Sequence, residues 1–323
     1  MGKVLSSIIL FFCCILQGWA QGPVYSQYIL NEFLINPSVA GYDGMTSINV
    51  SGRKQWVGLQ NSPQTYSASV STRLLKSPFS IKDGKLKKGS GGRVGLGAAF
   101  INDKNGAIDR TSLQLSYAYH IFLENKQLSF GLSGIATQFK IDDKLAELKD
   151  PNGDRLYGVL GKSTYIPDAA VGASLYTLKT QLGFSVSQLF QSPIKLGETS
   201  IDSKDIQQIR QYLLYGVYRF VLKSNPNWEV EPSAIVKGNE KLLFSADFTG
   251  RVVYKREYWA GLSVRTSGEF VLLLGLKMNR LYFGYSFDYG YNEISKLTYG
   301  SHEVFMAIKL GDSVRRYRWL ERY

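Results

Sequence analysis

Beyond residue 45 the chain alternates apolar and polar residues with a period of two, the signature of strands with two unlike faces. In TSLQLSYAYHIFL the odd positions are Thr111, Leu113, Leu115, Tyr117, Tyr119, Ile121 and Leu123. The even positions include Ser112, Gln114, Ser116, Ala118 and His120. One face is apolar and aromatic; the other is small or polar. KLLFSADFTGRVVY repeats this, with Leu242, Phe244, Ala246, Phe248, Val252 and Tyr254 against Ser245, Asp247, Thr249 and Arg251. EVFMAIKL does so near the end, with Val304, Met306, Ile308 and Leu310 on one side. Such segments start near residues 46, 64, 92, 111, 127, 168, 180, 211, 227, 241, 258, 269, 280 and 302. Each is about ten residues long, the length a tilted strand needs to cross the hydrocarbon layer.

The connections carry a second pattern. After even-numbered segments come ENK, KT, KSNPN, KRE and MNR, all short. After odd-numbered segments come NDKNGAIDR, long stretches at 142–167 and 191–210, and YGYNEISKLTYGSHE. One loop breaks the parity: KSPFSIKDGKLKKGSGG is long yet follows the second segment. Short turns on one side and long loops on the other mark a membrane barrel. A soluble β-sandwich also alternates, but gives no such parity. The expected fold is all-β: an outer-membrane antiparallel β-barrel of about 14 strands over 46–311. A plug-like segment at 21–45 precedes it and a basic-aromatic tail at 312–323 follows. With an even strand number, both termini would face the periplasm.

The first twenty residues read as a cleavable signal peptide. Lys3 supplies the positive start, VLSSIILFFCCIL the apolar run, and Gly18 and Ala20 the small residues before Gln21. Cys13 and Cys14 are the only cysteines, so the exported chain has no disulfide framework and no thiolate site. The net charge is +12, of which the signal contributes only Lys3. Such a balance suits anionic surfaces, here outer-membrane lipid and lipopolysaccharide; export argues against nucleic acid. Glycine (32) and tyrosine (21) are frequent, as in β proteins.

Candidate chemistry is sparse. His120 and His302 are the only histidines, and HEVFM lacks the second histidine of a zinc-protease helix. His120 with Ser116 or Ser133 would be the one hydrolase candidate, and it lacks an orienting group. DPNGDR places Asp150, Asn152 and Asp154 at calcium-loop spacing, but Arg155 replaces the turn glycine and Gly161 the final acid. KKGSGGRVGLG lacks the ending of a phosphate loop and leads into a strand. No enzyme activity, cofactor or metal is expected. Two basic stretches fall on the side of the short turns: Lys76, Lys82, Lys85, Lys87, Lys88 and Arg93 opposed by Asp83, and the tail with Arg315, Arg316, Arg318 and Arg322 between Tyr317, Trp319 and Tyr323. The first is a solvated face or a grip for an acidic partner. The second is an interfacial anchor or a periplasmic docking peptide.

Four blocks in order, YSQYILNEFLINPSVAGYDG, GRKQWVGLQNSPQTYSAS, GLGAAFINDKNGAIDRTSLQLSYAYH and GSHEVFMAIKL, resemble the PorP/SprF family of the Bacteroidetes type IX secretion system. The most specific positions are Gln27, Tyr28, Asn36, Pro37, Ala40 and Gly41; Gln55, Trp56, Gly58, Pro63 and Thr65; Asn102, Asp103, Gly106 and Thr111; and Gly300, Ser301, His302 and Glu303. Ser38 departs from the pattern after Asn-Pro, as do Asn61 and Ser62 before Pro63. The resemblance implies a non-catalytic barrel that associates with the secretion and gliding machinery on the periplasmic side. It further implies a role in secretion or surface attachment of adhesins. Asn36-Pro37 would set a turn, because proline restricts itself and its predecessor. The opening segment would then close the periplasmic mouth or fill the lower lumen. A channel for hydrophobic solutes of the fatty-acid-transporter type shares that outline and is the alternative.

Overall fold

The computed structural model describes residues 25–74, 79–82, 85–88, 93–123, 125–142, 163–193, 207–291 and 293–311. The expected signal at 1–20, the DPNGDR stretch and the tail at 312–323 lie outside the described residues.

The wall is one antiparallel sheet. Its strands are β1 (Thr46–Lys54), β2 (Gln64–Leu74), β5 (Val94–Asn105), β6 (Ile108–Leu123), β7 (Lys126–Ile141), β8 (Ser163–Thr177) and β9 (Thr180–Ser187). It continues through β10 (Gln211–Tyr218) with β11 (Phe220–Val221), β12 (Trp228–Asn239), β13 (Phe244–Tyr254), β14 (Tyr258–Arg265), β15 (Glu269–Met278), β16 (Leu281–Gly290) and β17 (Ser301–Leu310). Each strand pairs with its neighbour in sequence, β1 pairs with β17, and β10 pairs with β12. β10 and β11 are one wall strand interrupted at Arg219, so the sheet closes as a 14-stranded barrel. The interruption lies where Pro232 of β12, which has no N–H, would have donated. β3 (Phe79–Lys82) and β4 (Lys85–Lys88) form a separate hairpin within the β2–β5 connection.

Burial is inverted relative to a soluble protein. Leu113, Leu115 and Tyr117 of β6 are exposed, while Gln114, Ser116 and His120 are buried. In β1, Ile48 and Val50 face out, and Ser47, Asn49 and Arg53 face in. A polar lumen inside an apolar outer belt is what a barrel in lipid requires. No described helix is long and apolar enough to cross a membrane.

Loop parity holds in part. One rim carries the turns at 124–125, 178–179, 222–227, 255–257 and 279–280, along with the β3–β4 connection. The opposite, long-loop rim carries the connections at 55–63, 142–162, 188–210 and 291–300. It also carries three tight turns, at 106–107, 240–243 and 266–268. NDKNGAIDR is therefore not a long loop. β5 and β6 run on to a turn at Gly106, whose φ of 58° suits glycine. Asn102 donates to Asp109 Oδ1 at 2.8 Å and Thr111 Oγ1 at 2.9 Å across that hairpin.

β8 begins five residues before its expected start near 168. Its last pair with β9 is Val171 with Val186, so residues 163–170 overhang as an edge. Leu189 N–H and Ser192 Oγ donate to the carbonyls of Ala169 and Pro167 on that side. Pro167 thus removes a donor from the open edge, which blunts it against stray strand pairing.

Candidate functional site

Residues 25–45 occupy the lumen. The chain runs downward from Tyr25 and Ser26 at the long-loop rim to Met45 beside Gly311 at the short-turn rim, where β1 begins. The segment therefore spans the lumen rather than filling only its lower part. Tyr25 and Gly311, the first and last described residues, lie at opposite rims. The expectation that both chain ends share one face does not extend to these two residues.

At the long-loop rim the wall clasps the segment. Glu303 accepts the backbone N–H of Ser26 at 2.8 Å and of Gln27 at 3.2 Å. Arg53 donates to Asp288 at 2.6 Å, to Glu303 at 3.3 Å and to the Ser26 hydroxyl at 2.6 Å. Arg265 donates to the same hydroxyl at 2.6 Å, to Asp288 at 2.8 Å and to Glu269 at 2.7 Å. Arg53, Arg265, Asp288 and Glu303 are all buried. They come from β1, β14, β16 and β17, and alternation aims each of them inward. A buried charge persists only when paired and hydrogen-bonded, and here each is. The segment itself contributes no charge to this cage, only a hydroxyl and two amides. The Tyr28 hydroxyl lies 3.1 Å from Ser233 Oγ.

Lower down, the Asn36-Pro37 turn sits in a trough of glycines. Asn36 Oδ1 accepts the N–H of Ser38 at 3.0 Å, which caps a single 3-10 turn. Its amide donates to the carbonyls of Ala173 and Phe184, on β8 and β9, at 3.1 and 3.3 Å. Ser185 Oγ donates to the Ile35 carbonyl at 2.6 Å. A Cβ on Gly95 would lie 1.9 Å from the Ala40 carbonyl oxygen. On Gly97 it would lie 2.4 Å from the Phe33 ring, on Gly131 2.3 Å from Pro37 and on Gly172 2.1 Å from Asn36. The wall has given up four side chains where the segment presses on it. A Cβ on Gly41, at φ 64°, would lie 2.6 Å from the Thr72 carbonyl oxygen of β2. Phe33, Val39, Ala40, Ala99, Ala118 and Tyr176 form one buried cluster there; Tyr28, Ile29, Tyr215 and Ile235 form another. Glu32 accepts from Tyr176 at 3.1 Å and also from Gln181.

The remaining expected residues fall mainly around the clasp. Trp56 N–H donates to Ser301 Oγ at 3.2 Å, and Gln55 N–H to the Pro63 carbonyl at 2.9 Å. Gly58, at φ 106°, lies against the Tyr299 ring. Thr65 donates to Asp103 at 2.7 Å. His302 faces outward and bonds Tyr285 OH at 2.7 Å. Three of the four sequence blocks, those holding Gln27, Trp56 and Glu303, thus meet at one rim, with Asp103 of the other block beside Tyr25. Lys82, Lys85, Lys87 and Lys88 fall in the β3–β4 hairpin, of which the backbone alone is described. Arg315, Arg316 and Arg318 lie outside the described residues.

His120 bonds Ser129 Oγ at 2.8 Å and the Ala40 carbonyl at 3.0 Å. Ser116 and Ser133 bond each other at 2.6 Å instead. Among the described residues no group of three or more His, Cys, Asp or Glu is placed to hold a metal. The sequence does not single out Arg53, Arg265, Asp288, Gly131 or Gly172, and KKGSGGRVGLG, which holds Gly95 and Gly97, reads there only as the entry to a strand. Lone charges on the small-polar face of a strand were the available signal.

A model of the type IX secretion system membrane protein PorP/SprF matches residues 18–308. The chain belongs to the PorP/SprF family. This PorP/SprF protein is therefore a type IX secretion component, and its barrel fold and family put it in the outer membrane. No curated protein matches it. It is similar to the Acinetobacter baumannii outer membrane protein Omp33, at 9% identity over 84% of this chain and 100% of that one, with a TM-score of 0.45. It is also similar to the CymD monoaromatic hydrocarbon channel, at 13% identity over 90% and 94%, with a TM-score of 0.44. Nothing about the function of this PorP/SprF protein follows from likenesses that distant.

Proposed function

We propose that the barrel is a closed scaffold, not a conduit. It supports secretion or surface attachment of adhesins and links them to the periplasmic and gliding machinery. The observation that carries this is the seated segment at residues 25–45, for which the wall has cleared a glycine trough. A channel for hydrophobic solutes needs free apolar lumen, and the chain's own segment is seated in that path. In this reading the long-loop rim faces outside and the short-turn rim faces the periplasm. The basic stretch around Lys82–Lys88 and the tail with Arg315, Arg316 and Arg318 then form the periplasmic docking face. Exposed ion pairs contribute only about 0.2–1 kcal/mol each, so several must act together.

The test is one variant that neutralises Lys82, Lys85, Lys87 and Lys88 and lacks residues 315–323. Normal insertion with loss of co-purifying periplasmic partners and of adhesin display is the expected result. Retained partners and display would move the docking face elsewhere.

A further inference from the structure

The outward face of β1, β2 and β5–β7 carries an arrangement that scaffolding does not use. Strand register sets Lys54, Gln64, Lys104, Asp109 and Lys140 side by side in one row near the long-loop rim. The three lysines are exposed. Lys104 Nζ lies 3.3 Å from one Asp109 oxygen, and Asn102 donates to the other at 2.8 Å. Asp109 is thus engaged within the row, which keeps a net positive charge.

Below Gln138 the outward surface turns apolar and leads to a depression. The outward residues of β7 below Lys140 are Gln138, Ala136, Gly134 and Leu132. A Cβ on Gly134 would meet nothing within 4 Å. Gly134 floors an open depression of about 510 Å³ walled by Val70, Ala98, Leu115, Tyr117 and Leu132. From Lys140 to Leu132 is about 26 Å of strand, or roughly 20 Å of depth at the tilt of barrel strands. That exceeds the ~15 Å depth of one hydrocarbon leaflet, so with the lysine row at headgroup level the depression lies in the bilayer core.

We propose that this face holds one phosphorylated glycolipid of the lipid A type. Its phosphate sits over Gln64 between Lys54 and Lys104, with Lys140 at the other end of the row beyond Asp109, and one acyl chain reaches the depression at Ala98 and Gly134. Charge complementarity selects the headgroup: a zwitterionic phosphoethanolamine would bring its own ammonium against the lysines. The assignment rests on the long-loop rim facing outside.

The experiment purifies the barrel in mild detergent and counts bound lipid A and phosphatidylglycerol per chain by mass spectrometry. Wild type is compared with a Lys54→Gln/Lys104→Gln double variant and with Gly134→Leu, which fills the depression without touching a lysine. Heat-modifiable mobility confirms that each barrel is folded, and a tag inserted between β7 and β8 reports orientation on intact cells. Lipid A near one per barrel in wild type, falling about twofold to thirtyfold in the lysine variant and falling as well in Gly134→Leu, is the expected result. Equal lipid A in all three proteins overturns the proposal. So does retention of phosphatidylglycerol as strong as that of lipid A. If the tag is not reachable from outside, it is the orientation that fails, whatever lipid is bound.

Discussion

Glu303 holds Ser26 by its backbone N–H at 2.8 Å, across 277 positions of sequence. The same carboxylate holds Gln27 and faces Arg53. One side chain therefore fixes the start of the luminal segment and balances a buried cation. Glu303→Ala should cost about 1.5–3 kcal/mol, because it takes the acceptor from two backbone amides while Arg53 keeps Asp288. Glu303→Gln should cost less, since the amide oxygen can still accept from Ser26. The denaturation midpoints of the folded barrel in detergent would order wild type, Gln and Ala. An Ala variant as stable as wild type would show that the clasp carries no weight.

Gly172→Ala places a methyl 2.1 Å from Asn36 Oδ1. Overpacking of that kind costs about 1–3 kcal/mol. Gly134→Ala places the same methyl in open space, and should leave stability unchanged. The two midpoints separate a seated segment from general glycine sensitivity. Equal effects would contradict the trough.

Asn36→Ala removes the amide bonds to the Ala173 and Phe184 carbonyls along with the cap on Ser38. A lost cap costs about 0.5–2 kcal/mol, and the two carbonyls lose a partner as well. Limited proteolysis should cut the luminal segment faster in this variant while the wall strands stay protected. Unchanged cleavage would show that the turn is held by packing alone.

Orientation can be read on cells. A tag between β7 and β8, near residue 152, should be labelled from outside intact cells. A tag in the 222–227 turn should be labelled only after the outer membrane is opened. Equal labelling of the two would contradict the assignment of rims.

The wall strands could be read in the sequence because each carries a stretch of alternation at the level of the lipid, even where, as in β6, β7 and β8, the strand runs on to 15 or 16 residues. The Asn102–Asp109 hairpin was harder to read. It continues toward the rim, where the outward face turns polar, so its strands resemble a loop. β8 extends back past its expected start near 168 and through Pro167, a residue that argues against a strand interior. An overhanging edge is one of the few places that tolerates it. The route of residues 25–45 left no local signal. Its partners Glu303, Asp288 and Ala173 lie 137 to 277 positions away. The Asn-Pro turn was visible in the sequence; the glycines that receive it, Gly131 and Gly172, look like ordinary strand glycines until the two surfaces meet.

The central claim is that the lumen is closed by the chain's own segment. Ion conductance of the purified protein in a planar lipid bilayer tests it most directly. Wild type should give no steady stepwise current. A variant lacking residues 25–41, folded by heat-modifiable mobility, should give discrete open-pore steps. Steady pore currents from wild type, unchanged by that deletion, would contradict the account.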